Sequence, residues 1–242
     1  MVIGGIEVID HDDSLWVLNK PSGLLSAPGR GPGKQDCLLA RLLVHDPSVR
    51  LVHRLDQPTS GLMLLARGAA RQKDINAAFA ARQVEKVYLA QVTGCMEDGG
   101  RWQVIDAPID LHWPDRPRHH VGSGGKPSQT LWRVLAVDPA RSVTWLALRP
   151  VTGRSHQLRV HLSWLGHPIC GDTLYAPPPV AQAVPRLLLH AWQLALKHPV
   201  SGDNRVWRAP LPPELHAGFC QQTVAKGLQN ALTTPQSGDF YA

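Results

Sequence analysis

Hydrophobic and polar residues alternate along several short segments of the chain, which is the spacing of half-buried β-strands. Residues 6–26 alternate or run apolar and are interrupted by a Pro and Gly turn at 19–23. Residues 51–62 follow the order strand, turn, strand. The same criteria predict further strands at residues 85–92, 130–137, 143–148 and 187–194. Strands therefore dominate the predicted secondary structure.

Three segments have helical spacing instead, namely residues 37–43, 68–83 and 156–165. In the third, the leucines at 158, 162 and 165 share one face, Arg159 lies at its edge, and Ser155 could cap the first turn. Runs of strands with helices inserted between them predict an α+β fold, with a mixed, mainly antiparallel central sheet flanked by helices.

The length and composition fit one globular domain. The chain has 242 residues, of which 43% are hydrophobic, so it can bury a sizeable core. We expect one domain over residues 1–220 and a polar, loosely ordered tail over residues 221–242. No apolar run approaches the roughly 20 residues of a membrane helix, and the four scattered cysteines are most simply free thiols. Both features predict a cytoplasmic protein.

The net charge favours a polyanionic partner. The formal charge is +6 and the sequence pI is near 9.4. Several arginines lie beside Pro, Gly or Trp in predicted loops, notably in residues 27–34 and in the Pro- and Gly-rich loop 108–127. Guanidinium groups on loops suit phosphate contacts, although solvated loops explain these arginines equally well.

Several common catalytic sites are absent from the sequence. Gly33-Lys34 and Gly125-Lys126 both lack the first Gly and the final Ser or Thr of a phosphate-binding loop. His156, His161 and His167 are spaced so that they fall on different helix faces, with no Cys or Glu ligand nearby. No Gly-x-Ser-x-Gly elbow is present. Nucleotide-loop, metal and serine-hydrolase chemistry are thus disfavoured.

Asp56 is the most suggestive single residue. It is predicted at the end of a short strand, immediately before a Pro and Gly turn, where a carboxylate can face a cleft. Arg54 or the helix-edge Arg159 could keep it ionised. The alternative is that Asp56 only starts the turn and hydrogen-bonds its own backbone, and this segment alone favours the alternative.

Five segments in order change that balance. Together they resemble the RluA-type pseudouridine synthases, over roughly residues 6–210. Within that family, WPDRP (113–117) followed by GKPSQT (125–130) is most similar to members that modify both a tRNA anticodon loop and a large-subunit rRNA hairpin. Few residues precede the first segment, so we expect the catalytic domain without the N-terminal S4 domain of many relatives. The five segments are VLNKPSGL (17–24), HRLD (53–56) with SGL (60–62), EKVYLA (85–90), TGRSHQLRVH (152–161), and GHPICGD (166–172) with Tyr175.

The resemblance implies a reaction and three catalytic residues. The family breaks the N-glycosidic bond of a uridine in RNA, turns the base and rejoins it through carbon, without a redox change, so no cofactor or metal is expected. Asp56 would be the essential carboxylate, acting as nucleophile or base. Arg159 would pair with it, and Tyr88 would stack on the uracil and could assist proton transfer.

The resemblance also implies RNA as the partner, with no membrane and no obligate protein partner, and hence a monomer. Arg54, beside His53, would occupy the space left by the flipped base, or would only form a structural ion pair. Two alternatives to a synthase remain at this stage: a non-catalytic RNA-binding or folding factor, and a hydrolase that releases free base. The expected substrate-binding residues are Arg54, His53, Lys20, Arg116, Arg118 and Lys126.

Overall fold

A computed structural model describes residues 1–97 and 99–216, and thirteen strands, five α-helices and one short 3-10 helix (Trp113–Asp115) lie within them. The strands are β1 (Val2–Ile3), β2 (Ile6–His11), β3 (Leu15–Lys20), β4 (Val49–Leu51), β5 (Ser60–Arg67), β6 (Glu85–Thr93), β7 (Gln103–Asp106), β8 (Ile109–Leu111), β9 (His119–Val121), β10 (Gln129–Asp138), β11 (Val143–Pro150), β12 (Leu189–Lys197) and β13 (Asn204–Arg208). The helices are α1 (Leu38–Leu43), α2 (Gly68–Ala80), α3 (Gln157–Trp164), α4 (Pro178–Gln182) and α5 (Pro213–His216).

Eleven strands form one sheet, in the order β1-β2-β3-β5-β12-β6-β11-β10-β7, with β4 beside β5 and β13 beside β12. β5 and β12 run parallel, and the other ladders of the described residues are antiparallel. β8 and β9 form a separate hairpin. The α+β prediction with a mixed, mainly antiparallel sheet is therefore confirmed.

A glycine allows β5 and β12 to pair closely near the middle of the sheet. Gly61 in β5 lies opposite Ala191 of β12 in the parallel pair and has a φ of +110°. A Cβ at position 61 would collide with the Ala191 backbone, so only glycine allows this approach. The pairing fixes where β5 begins, and with it the loop that carries Asp56.

Helix α3 packs on the sheet with its leucine face. Leu158 and Leu162 are buried in a cluster with Leu146 and Leu148 of β11. Because side chains alternate along a strand, β6 sends Leu89 to the opposite face. Arg159 is also buried, at 2% exposure, although it was predicted at the edge of the helix.

Three local predictions were wrong. β4 ends at Leu51, so Asp56 lies in a loop rather than at a strand end. The helix predicted from residue 156 begins at Gln157, and Ser155 does not cap it, because His156 is the N-cap and makes no side-chain capping bond. The predicted loop 108–127 contains the β8–β9 hairpin, whose short strands are hidden among Pro, Gly and basic residues.

Other elements were missed because they are short, namely β1, β7, β13, α4 and α5. The predicted tail 221–242, and the boundary at residue 220, lie outside the described residues. Across the part of the chain that is described, no helix is long and apolar enough to cross a membrane.

Candidate active site

Asp56 lies in the loop between β4 and β5 and lines a cleft of about 860 Å³. The turn after it closes through the backbone, since the Thr59 N–H donates to the Asp56 carbonyl at 3.0 Å. Within the described chain, the Asp56 carboxylate accepts no hydrogen bond from this turn, and its side chain is 22% exposed. The carboxylate therefore faces the cleft rather than bracing its own loop.

The side chain of Arg159, in α3, contacts the Asp56 carboxylate. Its Nη1 lies 3.5 Å from Asp56 Oδ2. Its main partner is Asp172, which accepts hydrogen bonds from Nε at 2.8 Å and from Nη2 at 2.7 Å. Burial lowers the pKa of the guanidinium, but Asp172 and then Asp56 outweigh burial and raise it. Arg159 is thus a fixed, charged donor whose third nitrogen is directed at Asp56.

Asp172 itself is held by the loop that follows α3. Its Oδ1 accepts hydrogen bonds from the backbone N–H groups of Leu174 at 2.9 Å and Tyr175 at 3.1 Å. Its side chain is fully buried, with 0% exposure. A bidentate pair with additional hydrogen bonds is the arrangement in which a buried ion pair is tolerated.

His156 lies near the other oxygen of the Asp56 carboxylate. Its Nε2 lies 3.9 Å from Asp56 Oδ1, and its Nδ1 lies 2.7 Å from the Tyr175 hydroxyl. The ring of His119, in β9, packs edge-on against His156 at 5.3 Å. Burial lowers the pKa of His156, and the charge of Asp56 only partly opposes this.

No group of three or more His, Cys, Asp or Glu among the described residues could hold a metal ion.

Tyr88 of β6 lines the same cleft and is half-buried. Burial, and then the negative charge of Asp56, raise the pKa of its hydroxyl well above the ordinary value. The hydroxyl is therefore protonated at neutral pH, and an aromatic face beside a carboxylate suits a planar base.

The cleft is strongly cationic. Asp56 and Glu85 are the carboxylates that line it, against six cationic side chains. Arg54 is exposed and makes no hydrogen bond or ion pair with any described residue. Such a surface attracts a polyanion and raises its local concentration. The six cations are Arg54, Arg82, Lys86, Arg149, Arg154 and Arg159.

Lys20 was expected to bind substrate through the RNA phosphates, but its position in the structure does not suit that role. It has 0% exposure, and its ammonium donates to the carbonyls of Pro21 at 2.9 Å, Leu24 at 2.7 Å and Gln57 at 3.1 Å. Burial lowers its pKa to about 7, and nearby Asp56 partly opposes this. Three carbonyls occupy the three donors of the ammonium, so Lys20 joins the loop after β3 to the residue that follows Asp56.

His53 lines the cleft, but its ring serves the fold. Its Nε2 accepts a hydrogen bond from the Leu64 N–H at 2.9 Å, and the ring packs on Phe79 at 5.0 Å. Burial, and then Lys86, lower its pKa to about 3, so it stays neutral. Because Nε2 accepts this bond, the neutral ring carries its proton on Nδ1, and binding of substrate by His53 stays a prediction.

Arg116, Arg118 and Lys126 lie on or beside the β8–β9 hairpin and do not line the cleft. All three are exposed. The Arg116 guanidinium stacks on the Trp113 ring at 3.3 Å, and Arg118 pairs with Asp115 at 2.9 Å. The hairpin is nonetheless tied to the site, because the His119 N–H donates to the Tyr175 hydroxyl at 2.9 Å.

The structure brings Asp56, Tyr88, Arg159, Arg54 and His53 into one cleft. The sequence reasoning gave no role to His156, Asp172 or Tyr175, although all three stand in the quoted segments. One signal could have identified Asp172: an arginine that reaches into a partly buried site needs a carboxylate partner. No sequence signal pointed to the cleft cations Arg82 and Arg149.

Comparisons with known proteins agree with this geometry. The family described as RNA pseudouridylate synthase matches residues 14–164. A protein of Escherichia coli strain K12 named dual-specificity RNA pseudouridine synthase RluA is 41% identical over 204 residues, covering 84% of this chain and 92% of that protein. A protein of the same name from Vibrio cholerae is 44% identical over 197 residues, covering 81% of this chain and 79% of the other.

A solved structure is similar as well. Human RNA pseudouridylate synthase domain containing 1 superposes with a TM-score of 0.73 at 28% identity, covering 92% of this chain and 94% of that one.

Proposed function

The chain belongs to the RNA pseudouridylate synthase family and is an RNA pseudouridine synthase, an isomerase that acts on RNA, and we propose that Asp56 is its essential carboxylate. The observation that carries this proposal is the position of Asp56, the carboxylate that faces Arg159 in a cationic cleft. The partner of the reaction is RNA, which the cations of the cleft suit.

The chemistry needs a carboxylate that is ionised, oriented and within reach of the sugar or base. Arg159 contacts Oδ2 of Asp56, and the carboxylate faces the cleft, where it can act as nucleophile or base. Tyr88 supplies an aromatic face for the detached uracil, and its protonated hydroxyl can donate a proton at the base while the base turns. The bond from the sugar to the ring nitrogen breaks and a carbon–carbon bond forms, the nitrogen gains a proton and the joined ring carbon loses one, so the product is an isomer of the substrate and no electron acceptor is required.

We further propose that Arg54 occupies the space left by the target base when it flips out. Its exposure, and the lack of a hydrogen bond or ion pair with the described residues, leave its guanidinium able to reach into the RNA. Flipping a stacked base costs a few kcal/mol, which an inserted guanidinium can offset.

Arg54→Ala should therefore slow isomerisation roughly 10-fold on a structured hairpin, and less on an RNA whose target uridine is bulged. Arg205→Ala, on the exposed strand β13, is the control. Equal losses on the two RNAs would show that Arg54 only braces its loop.

The substrates are proposed to be a tRNA anticodon loop and a 23S rRNA hairpin. The relatives from E. coli and V. cholerae carry the name dual-specificity, and the hairpin segments 113–117 and 125–130 are those that resemble such enzymes. The proposal also includes a cytoplasmic location and a monomeric state, and light scattering of the purified chain can test the monomeric state.

Mapping of pseudouridine across tRNA and rRNA from cells with and without this protein tests the proposal. We expect one site in an anticodon loop and one in an rRNA hairpin to disappear with the protein. Loss in only one RNA class would overturn the dual specificity, and unchanged maps would overturn both substrates.

A further inference from the structure

His156 has an unusual backbone for its type. Its φ is +56° and its ψ is 13°, in the left-handed region that non-glycine residues seldom occupy. The residue stands at the start of α3, where its carbonyl accepts from the Val160 N–H at 2.9 Å, and its side chain lines the cleft. Strained residues of this kind persist where the surroundings hold them, and they cluster at functional sites.

The hydrogen bonds around the ring define its tautomer. The Tyr175 hydroxyl has two hydrogen-bonding partners among the described residues, the His119 N–H and His156 Nδ1. The backbone N–H can only donate, so it occupies a lone pair of the hydroxyl oxygen. Nδ1 is the remaining partner of the hydroxyl among the described residues, which favours Nδ1 as the acceptor of the hydroxyl hydrogen and puts the imidazole proton on Nε2.

Nε2 is the atom that faces Asp56 Oδ1, at 3.9 Å. This is longer than a hydrogen bond, but hydrogen bonds at active sites are often long before substrate binds and shorten in the complex. Since Arg159 contacts the opposite oxygen, Oδ2, the two donors together define the plane of the carboxylate.

We propose that His156 is a positioning residue that donates from Nε2 to Asp56, and that Tyr175, held by the His119 amide of the β8–β9 hairpin, keeps it in the donating tautomer. The inference rests on the proposed role of Asp56. It adds a link from the RNA-facing hairpin to the reacting carboxylate, through His119, Tyr175 and His156.

The charges that face His156 agree with a neutral ring. Asp56 from its loop and Asp172 from the segment after α3 favour protonation, whereas Arg159 and His119 oppose it. Tyr175 faces it with a hydroxyl whose pKa is raised to about 12, by burial first, and which therefore stays protonated as the donor to Nδ1. A neutral His156 can donate to Asp56 only from Nε2.

Two substitutions separate positioning from a structural role. In His156→Gln the side-chain amide reaches the place of Nε2 and can still donate to Asp56, whereas in His156→Asn it reaches only the place of Nδ1. Asn tolerates the left-handed backbone better than Gln does. A purely structural His156 would therefore make the Asn variant the better enzyme.

We expect the opposite order in single-turnover reactions at saturating RNA. His156→Asn should be slowed roughly 10-fold or more, His156→Gln should stay within about 3-fold of the unsubstituted protein, and both should bind RNA as it does. His45→Asn, at an exposed histidine outside the cleft, is the control. An Asn variant as fast as the Gln variant, or an effect on RNA binding alone, would overturn the proposal.

The tautomer can be read without any activity. In ¹⁵N-histidine-labelled protein at pH 7, the resonances that His156→Asn removes should belong to a ring with protonated Nε2 and bare Nδ1. Tyr175→Phe should shift that Nδ1 resonance. If Nδ1 of His156 carries the proton, the proposal is overturned, even if the protein forms pseudouridine. If Nε2 carries the proton but the unsubstituted protein forms no pseudouridine, the result counts against the role of Asp56 and not against the tautomer.

Discussion

Asp56 depends on a second carboxylate that never meets the substrate. Asp172 takes two of the three guanidinium nitrogens of Arg159 and is completely buried, so the third nitrogen is held in place for Asp56. An arginine paired with Asp56 alone would be free to follow it. The buried pair converts a flexible cation into a fixed donor, which is what orienting a reactive carboxylate requires.

The two carboxylates should therefore differ sharply when removed. Asp172→Ala removes both carboxylate hydrogen bonds of the buried Arg159 and leaves it only the 3.5 Å contact with Asp56, so we expect it to lower the free energy of unfolding by about 3–5 kcal/mol. Asp56→Ala leaves the Arg159–Asp172 pair intact and should change it by less than about 1 kcal/mol. Urea unfolding measures both, and equal effects would contradict the division of roles.

A second prediction at the level of a single residue concerns Lys20, which should matter for stability and not for RNA binding. Lys20→Met removes a buried ammonium that donates to three carbonyls, so the free energy of unfolding should fall by about 2–4 kcal/mol. The salt dependence of RNA binding should not change, because the ammonium is buried. Lys126→Met, at an exposed lysine, should do the reverse, leaving stability unchanged and lowering the salt slope by about 0.7–0.9. A salt slope lowered by Lys20→Met would restore its role as a phosphate ligand.

The β8–β9 hairpin contributes charge outside the cleft. Arg116 and Arg118 are exposed at its tip, and their partners, the Trp113 ring and Asp115, are exposed as well. Exposed pairs of this kind are weak, so both guanidinium groups can exchange these partners for phosphate at little cost.

Replacing both arginines by alanine should weaken RNA binding and lower the slope of log affinity against log salt by about 1.4–1.8. Arg50→Ala with Arg205→Ala, at exposed positions on β4 and β13, gives the same change of net charge away from the cleft and hairpin. If both double variants lower the slope equally, net charge and not the hairpin attracts the RNA.

Among the secondary-structure elements, the long ones were predicted well from the sequence and their ends were predicted poorly. The observed bounds of β6, β10, β11 and α2 lie within about three residues of the predicted ones, because each is long enough for its pattern of hydrophobic residues to be recognised. The β8–β9 hairpin was read as loop, since its strands are short and carry Pro and basic neighbours. The start of α3 was misplaced because a histidine in the left-handed conformation, rather than Ser155, precedes it.

The site assembles only at the level of the whole molecule. Asp56 comes from a loop, Tyr88 from β6 and Arg159 from α3, and the sheet brings them to one cleft. Asp56, Tyr88 and Arg159 could be named from the sequence through the resemblance of their segments. The tie between His156 and Tyr175 could not, because it depends on a backbone geometry that no local pattern encodes.

Buried neutral histidines make the whole fold sensitive to acid. Burial, and then Arg186, lower the pKa of His190 to about 4, against an unfolded value near 6.5. Between these two pH values the unfolded chain binds more protons, so stability falls as pH falls. His190 alone should cost about 2 kcal/mol between pH 7 and pH 5.

His190→Gln tests this pH dependence. It should reduce the difference in the free energy of unfolding between pH 7 and pH 5, which urea titration at each pH measures. His45→Gln, at an exposed histidine, should leave that difference unchanged. An undiminished difference in His190→Gln would show that this histidine is not held neutral.

The most direct measurement of the central claim is pseudouridine formation by purified Asp56→Asn protein in single-turnover reactions, with RNA affinity determined in parallel. Asp74→Asn, at an exposed carboxylate on α2, is the control. We expect Asp56→Asn to bind RNA normally and to form pseudouridine at least roughly 1,000-fold more slowly than the unsubstituted protein, which Asp74→Asn should match. Pseudouridine formed by Asp56→Asn at a rate near that of the control would contradict the assignment of Asp56 as the reacting carboxylate.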